Sequence, residues 1–212
     1  MKWRLFVLFL FLVASFAFVY FHSFYTADSL TGHATGTGTV TLTQAGSAGM
    51  SLDDAIVSFG SGYYNSSCSL TYADVNSNMS RTCWINTTSY FSSEDVHLIS
   101  NSGSTLLNLT LSLVNLTDAE SFFCGSSQGC LYSNTSGILV QSLNSESSSC
   151  SGLTSNFELL ANETLNQSLG VCDAFDFVDA SDTVKVYIDF HVPKDASSGN
   201  KTLFLNYQAV SL

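Results

Sequence analysis

Short runs of alternating apolar and polar residues recur along the chain from Thr39 onward, roughly every ten residues. A period of two is expected of a β-strand that buries one face, because successive side chains point to opposite sides. Gly, Ser, Asn and Asp separate the runs, as they do in turns. The predicted strands are Thr39–Thr43, Ala55–Phe59, Val96–Ile99, Leu106–Val114, Ile138–Val140, Val184–Phe190 and Leu203–Val210.

The number and spacing of these strands predict an all-β fold, a single antiparallel β-sandwich of jelly-roll or immunoglobulin-like type. Helical patterns do not alternate with the strands, which excludes a parallel α/β sheet. Pro193 and the sequence Ser198-Gly199-Asn200 predict a hairpin-like turn between the last two strands. One short helix is predicted over Leu159–Leu169, because Ser155 and Glu158 form a capping-box pattern before it.

The first residues carry a signal for export. Lys2 and Arg4 precede Leu5–Phe21, an uncharged apolar run of 17 residues, and the next basic residue is Arg81. This asymmetry places the N-terminus inside and the rest of the chain outside. The run is short for crossing a bilayer and slightly long for a signal-peptide core, so a retained anchor and a removed signal peptide both stay open.

The chain therefore divides into three predicted parts. Residues 1–27 are a signal peptide or an N-terminal membrane anchor in the form of a hydrophobic helix, and residues 28–36 are a flexible spacer. Residues 37–212 are the β-sandwich ectodomain. The predicted location is extracellular or at the cell surface. A retained anchor would make the membrane a partner and leave the N-terminus in the cytoplasm.

Six cysteines follow the apolar run, and none of them forms a CxxC pair. An even number of cysteines in an oxidising compartment predicts three disulfides rather than a zinc site or a redox centre. Six cysteines allow fifteen pairings, and we favour the sequential set because each loop then closes locally. The sequential pairs are Cys68 with Cys83, Cys124 with Cys130, and Cys150 with Cys172.

The chain also contains nine N-x-[S/T] sequons, which predict N-glycosylation of an exported protein. Their number exceeds what the Ser and Thr content yields by chance, although Ser/Thr richness alone stays open as the explanation. N-glycosylation favours an archaeal or eukaryotic source over a bacterial one. The acceptor asparagines are Asn65, Asn78, Asn86, Asn108, Asn115, Asn134, Asn162, Asn166 and Asn200.

Charge and motifs narrow the range of functions. The net charge is −11, from 17 acidic and 6 basic residues, and no basic stripe is present to bind phosphates, which excludes nucleic acid as a partner. No HExxH motif and no glycine-rich phosphate loop occur. We therefore expect a non-enzymatic protein with no catalytic residue, no cofactor and no small-molecule substrate.

Four histidines remain as candidate functional residues. His22 and His33 precede the predicted strands. His97 and His191 fall within strand-like runs, where a half-buried structural histidine is the usual case.

One acidic stretch is a weak candidate for a calcium site, because extracellular β-proteins bind calcium through loop carboxylates. Its spacing matches no EF-hand loop, and a solvated loop edge is the preferred interpretation. No metal site is predicted beyond these weak candidates, which are Asp173, Asp176, Asp179 and Asp182.

Three segments suggest a known group. They are the first strand GTVTLT with the later turn FGSG, the strand–turn–strand unit VHLISNSGSTLLNLTL, and the closing VKVYIDFHVPKDASSGNKTLFLNYQAV. In this layout, over residues 37–212, the chain resembles the TasA/camelysin-like surface proteins and the archaeal thread and bundling-pilus subunits. The resemblance implies a jelly-roll-like sandwich that polymerises by passing an N-terminal strand to the next subunit.

Together these observations predict a cell-surface structural protein, a subunit of a filament, matrix or layer that self-associates by β-strand addition. The spacer together with Thr37–Thr43 is the expected donor strand. The alternative is a solitary membrane-anchored, adhesin-like module that recognises a protein or a glycan. For that alternative, Trp84 beside Cys83 is either packed against the disulfide, as we favour, or exposed as a platform for a sugar.

Overall fold

A computed structural model describes residues 35–42, 48–87, 94–125 and 130–212 of the chain. These residues form fifteen β-strands, one short α-helix and one 3-10 helix, so the predicted all-β class is confirmed. The predicted N-terminal hydrophobic helix and the spacer up to residue 34 lie outside the described residues, as do His22 and His33.

The elements are numbered in chain order. The α-helix α1 spans Ala119–Cys124, and the 3-10 helix spans Ser133–Thr135. The strands are β1 Thr35–Leu42, β2 Ser51–Asp54, β3 Ile56–Ser58, β4 Gly62–Tyr64, β5 Tyr72–Asn76, β6 Arg81–Thr82, β7 Trp84–Asn86, β8 His97–Ser100, β9 Leu107–Leu113, β10 Gly137–Asn144, β11 Cys150–Leu153, β12 Glu158–Ala161, β13 Leu169–Phe175, β14 Thr183–Pro193 and β15 Phe204–Ser211.

Most strands belong to two sheets. Sheet A has the order β11-β13-β9-β15-β1-β3. Sheet B has the order β12-β10-β14-β5-β6, with β8 paired to both β14 and β2. Strands β4 and β7 form a separate ribbon. Among the described strands, every pair is antiparallel except β1 with β15.

The core is built from every second residue of the long strands of both sheets, as the period-two pattern requires. Burying one Leu, Ile, Val or Phe side chain contributes about 1.5–3 kcal/mol, so these rows supply much of the stability. The buried rows are Leu107, Leu109 and Leu111 in β9, Val184, Val186, Ile188 and Phe190 in β14, and Leu205, Tyr207 and Ala209 in β15.

Hydrogen bonds also cross this apolar layer. His97 of sheet B and Tyr207 of sheet A are fully buried, and the His97 Nδ1 lies 2.7 Å from the Tyr207 hydroxyl. The hydroxyl of Ser142 in β10 donates to the carbonyl of Val171 in β13 at 2.6 Å. Burial raises the pKa of Tyr207, so its hydroxyl stays protonated. His97 is therefore structural, but fully rather than half buried.

The helix predicted over Leu159–Leu169 is wrong. Glu158–Ala161 is strand β12, which pairs with β10. The Asn162 carboxamide oxygen then accepts hydrogen bonds from the backbone N–H groups of Thr164, at 2.9 Å, and Leu165, at 2.8 Å. This local turn competes with helix formation, and strand pairing overrides the capping-box signal.

The short helix occurs instead at α1. The carboxylate of Asp118 accepts a hydrogen bond from the Ser121 backbone N–H at 2.6 Å, which is N-terminal capping. Phe122 and Phe123 are buried, so packing of aromatic side chains holds a segment of only six residues in helical form.

The hairpin predicted between the last two strands is also wrong. Strand β14 lies in sheet B and β15 lies in sheet A, so the connection between them passes from one sheet to the other. The backbone N–H of Lys194 donates to the Thr71 carbonyl at 2.9 Å, and that of Ser197 donates to the Phe123 carbonyl at 3.0 Å. The turn residues mark the end of β14, but the next strand, β15, does not pair with it.

The three disulfides are the sequential set. Their Cα–Cα distances are 5.5 Å for Cys68–Cys83, 5.6 Å for Cys124–Cys130 and 5.8 Å for Cys150–Cys172. The third joins neighbouring strands of sheet A, β11 and β13. Disulfides of this number fit an extracellular location.

Replacing Cys150 and Cys172 together by alanine should lower the free energy of unfolding by about 3 kcal/mol, because this disulfide restrains the longest loop of the unfolded chain. The paired residues are 22 positions apart. Denaturant unfolding of the purified protein measures the change. The matched control is the double alanine variant of Cys124 and Cys130, which are 6 positions apart and should cost about 2 kcal/mol. A larger loss in the control would contradict the loop-length explanation.

Candidate functional site

Strand β1 lies inside sheet A rather than at its edge. Its residues Thr37–Leu42 pair in parallel with Phe204–Ala209 of β15, and Thr35–Thr37 pair with Ile56–Ser58 of β3. Within the described part of the chain, β3 has no other strand partner. Without β1, a gap between β15 and β3 would leave backbone N–H and C=O groups of both strands unpaired. We name this gap the β1 slot.

The β1 slot is backed by the core. On its two sides, Val57 of β3 and Tyr207 of β15 are fully buried. The strand that fills the slot is therefore required both for backbone hydrogen bonding and for covering apolar surface. Five residues, numbers 43–47, connect β1 to Ala48. The predicted donor strand, Thr37–Thr43, coincides with β1 up to Leu42, and Thr43 lies outside the described residues.

A second feature is an aromatic cavity of about 590 Å³, bounded by the β4–β7 ribbon, α1 and the connection between β14 and β15. The Phe190 ring at its base lies 4.4 Å from the Phe59 ring and 5.7 Å from those of Phe122 and Phe123, between centroids. Tyr63, at the rim, is 53% exposed. Tyr64, Trp84, Lys194 and Lys201 also line the cavity.

Trp84 is placed by a glycine. A Cβ atom at Gly62 would lie 2.3 Å from the Trp84 Nε1 and 2.5 Å from the Ile85 carbonyl oxygen, so the indole lies directly against the Gly62 backbone. The Nε1 is buried and has no hydrogen-bond partner among the described residues. Trp84 is half-buried, packs against the core cluster that includes Cys83, and also lines the cavity.

The outer face of sheet B carries a polar cluster. The core-facing residues of β14 alternate with Lys185, Tyr187, Asp189 and His191, which therefore point away from sheet A. Asp74 of β5 lies opposite His191 in the antiparallel register. Potential ligand atoms of Asp74, Asp189 and His191 all lie within 4.8 Å of one another. We name these three residues the Asp–Asp–His cluster.

One oxygen of each carboxylate in the Asp–Asp–His cluster lacks a hydrogen-bond donor in the described part of the chain. The side chain of Asp189 is 6% exposed, and its Oδ2 lies 3.7 Å from the His191 Nε2. Its Oδ1 and the Asp74 Oδ1 are buried, with no hydrogen-bond partner among the described residues. Burial, and then the nearby charge of Asp74, raise the pKa of Asp189, whereas burial lowers the pKa of His191. Two carboxylates and an imidazole so arranged can share a proton or bind a cation.

Sequence reasoning missed this cluster because Asp74 and Asp189 are far apart in the chain and meet only through the pairing of β5 with β14. The signal present in the sequence is Asp189-Phe190-His191, two ionisable residues on one face of β14. The sequence pattern alone predicts a structural role for His191.

The four aspartates weighed as a calcium site do not meet. Asp173 lies in β13, where its carboxylate packs against Gly152. Asp176 accepts hydrogen bonds from the Phe177 backbone at 2.8 Å and the Ser181 hydroxyl at 3.1 Å, which is a local turn. Among the described residues, the set close enough to share one ion is the Asp–Asp–His cluster.

The nine sequon asparagines are all exposed or half-buried. By contrast, Asn76 and Asn101, which are buried, stand outside sequons. Two acceptors use their amide nitrogens in the fold: Asn166 donates to the Leu116 carbonyl, and Asn108 donates to the Asp173 carbonyl at 3.3 Å. The other seven sequons are the better positioned for modification.

Comparison with known proteins adds no family to this picture. Neither a scan of protein-family models nor a search of curated proteins finds a match to the chain. No helix in the described ranges has the length and apolar character needed to cross a membrane.

Gly62→Ala should disrupt the wall of the aromatic cavity, because the added methyl group would overlap both the indole and a backbone carbonyl. We expect a loss of about 1–3 kcal/mol in unfolding free energy and a red-shifted tryptophan fluorescence spectrum. Gly170→Ala is the matched control, because the nearest atom to its Cβ would be 3.8 Å away. An unchanged spectrum in Gly62→Ala would contradict the placement of Trp84.

Asp189→Asn should stabilise the metal-free protein at alkaline pH. Since the native pKa of Asp189 is raised, the wild type binds this proton more tightly when folded, and stability falls as pH rises from about 4 through the native pKa. The variant should therefore exceed the wild type by about 1 kcal/mol or more at about pH 9, and by less at about pH 5. Denaturant unfolding at the two pH values, with EDTA present, measures this. An equal difference at both would contradict the burial of an ionisable carboxyl.

Proposed function

We propose that the protein is an exported structural subunit that joins to further copies by exchanging β1. The observation that carries the proposal is the position of β1 in the β1 slot, between β15 and β3, which do not pair with each other. A second copy of the strand can supply the same backbone hydrogen bonds to the same slot. Exchange therefore costs little in pairing energy and adds a link between subunits.

The connectivity supports exchange by the N-terminal strand in particular. Only one covalent connection, through residues 43–47, ties β1 to the described remainder of the sandwich. When each subunit donates β1 and accepts another, the contact is heterologous, and repetition gives an open filament unless the rotation closes a ring.

Export and surface location are part of the proposal. Three disulfides, accessible sequons and the apolar run Leu5–Phe21 after two basic residues support it. Charged residues make up only 11% of the chain, so attached sugars would supply the solubility that charge supplies in most proteins.

A disulfide trap tests the exchange. Thr39 of β1 lies opposite Asn206 of β15, so the full-length double variant Thr39→Cys/Asn206→Cys can be oxidised across the strand pair. Exchange predicts a ladder of covalent multimers on non-reducing electrophoresis, together with fibres in electron micrographs of the native protein. Each single variant is a control that should give no ladder beyond dimers.

Two results would count against the proposal. One is a double variant in which all cross-linked material migrates as a monomer. The other is native protein that remains monodisperse and monomeric at every concentration. N-terminal sequencing of the same sample reports whether residue 1 is retained, which would tether the donor strand at the membrane.

A second candidate function is favoured by the aromatic cavity. Partly exposed aromatic rings and a buried indole N–H suit a sugar or an apolar side chain of a partner. This supports the adhesin-like binding module. A glycan array should then give signals that Trp84→Ala abolishes and Gly170→Ala, on another part of the fold, preserves. Equal signals from both variants would remove this candidate.

A further inference from the structure

We propose that the Asp–Asp–His cluster binds one divalent transition-metal ion, with Zn²⁺ the best match to its donors. Two carboxylates and one imidazole are the oxygen and nitrogen ligands that Zn²⁺ accepts, whereas Ca²⁺ prefers oxygen alone. This site is independent of β1 and of strand exchange.

The spacing of the donors suits a small ion. Their ligand atoms already lie within 4.8 Å of one another, and the His191 Nε2 and Asp189 Oδ2 are 3.7 Å apart. Ligands held at ~2.1 Å in a tetrahedron are ~3.4 Å apart, so side-chain rotation alone can close the site. Asp74 and His191 are only half-buried, which leaves a path for the ion.

The unpartnered oxygens are the independent observation that points to a ligand. The Asp189 side chain is more than nine-tenths buried, yet its Oδ1 has no donor among the described residues, and the Asp74 Oδ1 has none either. An ionised carboxylate placed so without a partner is strongly unfavourable. A bound cation would neutralise both groups and satisfy these atoms together. A single proton shared by the two carboxylates is the competing explanation.

The imidazole is held ready for this role. The His191 ring stacks on Tyr72, with centroids 4.6 Å apart. On another side it faces Gly137, where a Cβ would lie 3.3 Å from the His191 Nδ1. The ring is thus confined with its Nε2 toward Asp189.

The three ligands stand on two adjacent strands rather than on loops. Asp189 and His191 are two residues apart on β14, and Asp74 lies opposite His191 on β5. Strand-borne ligands are fixed more closely than loop-borne ones. A bound ion would consequently cross-link β5 to β14 and stabilise sheet B.

Titration of the full-length, untagged protein with ZnCl₂ after removal of EDTA tests the site. Calorimetry should give one strong site per chain, and Zn²⁺ should raise the melting temperature. Asp189→Asn and His191→Ala should each weaken binding at least tenfold and abolish the thermal shift. Co²⁺ in place of Zn²⁺ should give visible absorption bands that both variants lose, and Ca²⁺ should bind more weakly than either.

Asp173→Asn is the matched control, since it removes a carboxylate from sheet A and should leave Zn²⁺ binding unchanged. Circular dichroism and cooperative unfolding of each variant confirm that it is folded. Asp189→Asn keeps the shape of the side chain and removes a buried charge, so folding should survive. Absence of a one-to-one site, or equal affinity in the wild type and both cluster variants, would overturn the proposal and leave the shared proton as the explanation.

Discussion

The fold depends on strand β14. One of its faces packs into the core, the other faces away from sheet A, and both of its edges are paired with other strands. Val184, Val186, Ile188 and Phe190 enter the core, and one edge pairs with β10 along its length. The other edge pairs first with β8 and then with β5. A slip of one residue would turn the apolar row outward and the polar row inward, so this strand fixes the register of sheet B. It also fixes what the outer face can carry, because Asp189 and His191 are held there by the same alternation.

Strand positions could be predicted from sequence because alternation is a local property. Strands predicted at 96–99, 106–114, 184–190 and 203–210 occur as β8, β9, β14 and β15 with small shifts at their ends. The prediction failed where tertiary pairing competed with local signals. Leu159–Leu169 has helix-forming residues, but Leu160 and Ala161 gain more by burial in a strand paired with β10. The position of β15 is a second failure. No residue in the turn after Pro193 indicates that the chain passes from sheet B to sheet A.

The candidate sites likewise divide into those that local sequence signals predict and those that tertiary pairing creates. The disulfide pairing could be predicted because each loop is short, and strand β1 could be placed because it is the first alternating run. The Asp–Asp–His cluster could not, because its members are joined by register between β5 and β14 and not by spacing along the chain. The aromatic cavity is likewise assembled from five separate segments of the chain, and the Gly62–Trp84 contact explains why a small residue is needed at position 62.

The parallel pairing of β1 with β15 has a consequence for biogenesis. A chain that crosses a membrane during translation presents β1 to the outside well before the segment beginning at Phe204 has been synthesised. The first strand must then wait, because β3 offers it only three residues of pairing in the meantime. During this delay, each newly made chain has an incomplete sheet A and an incompletely paired β1. Under the proposed strand exchange, the local concentration of other new chains would decide whether a chain's own β1 or that of another copy pairs with β15 first.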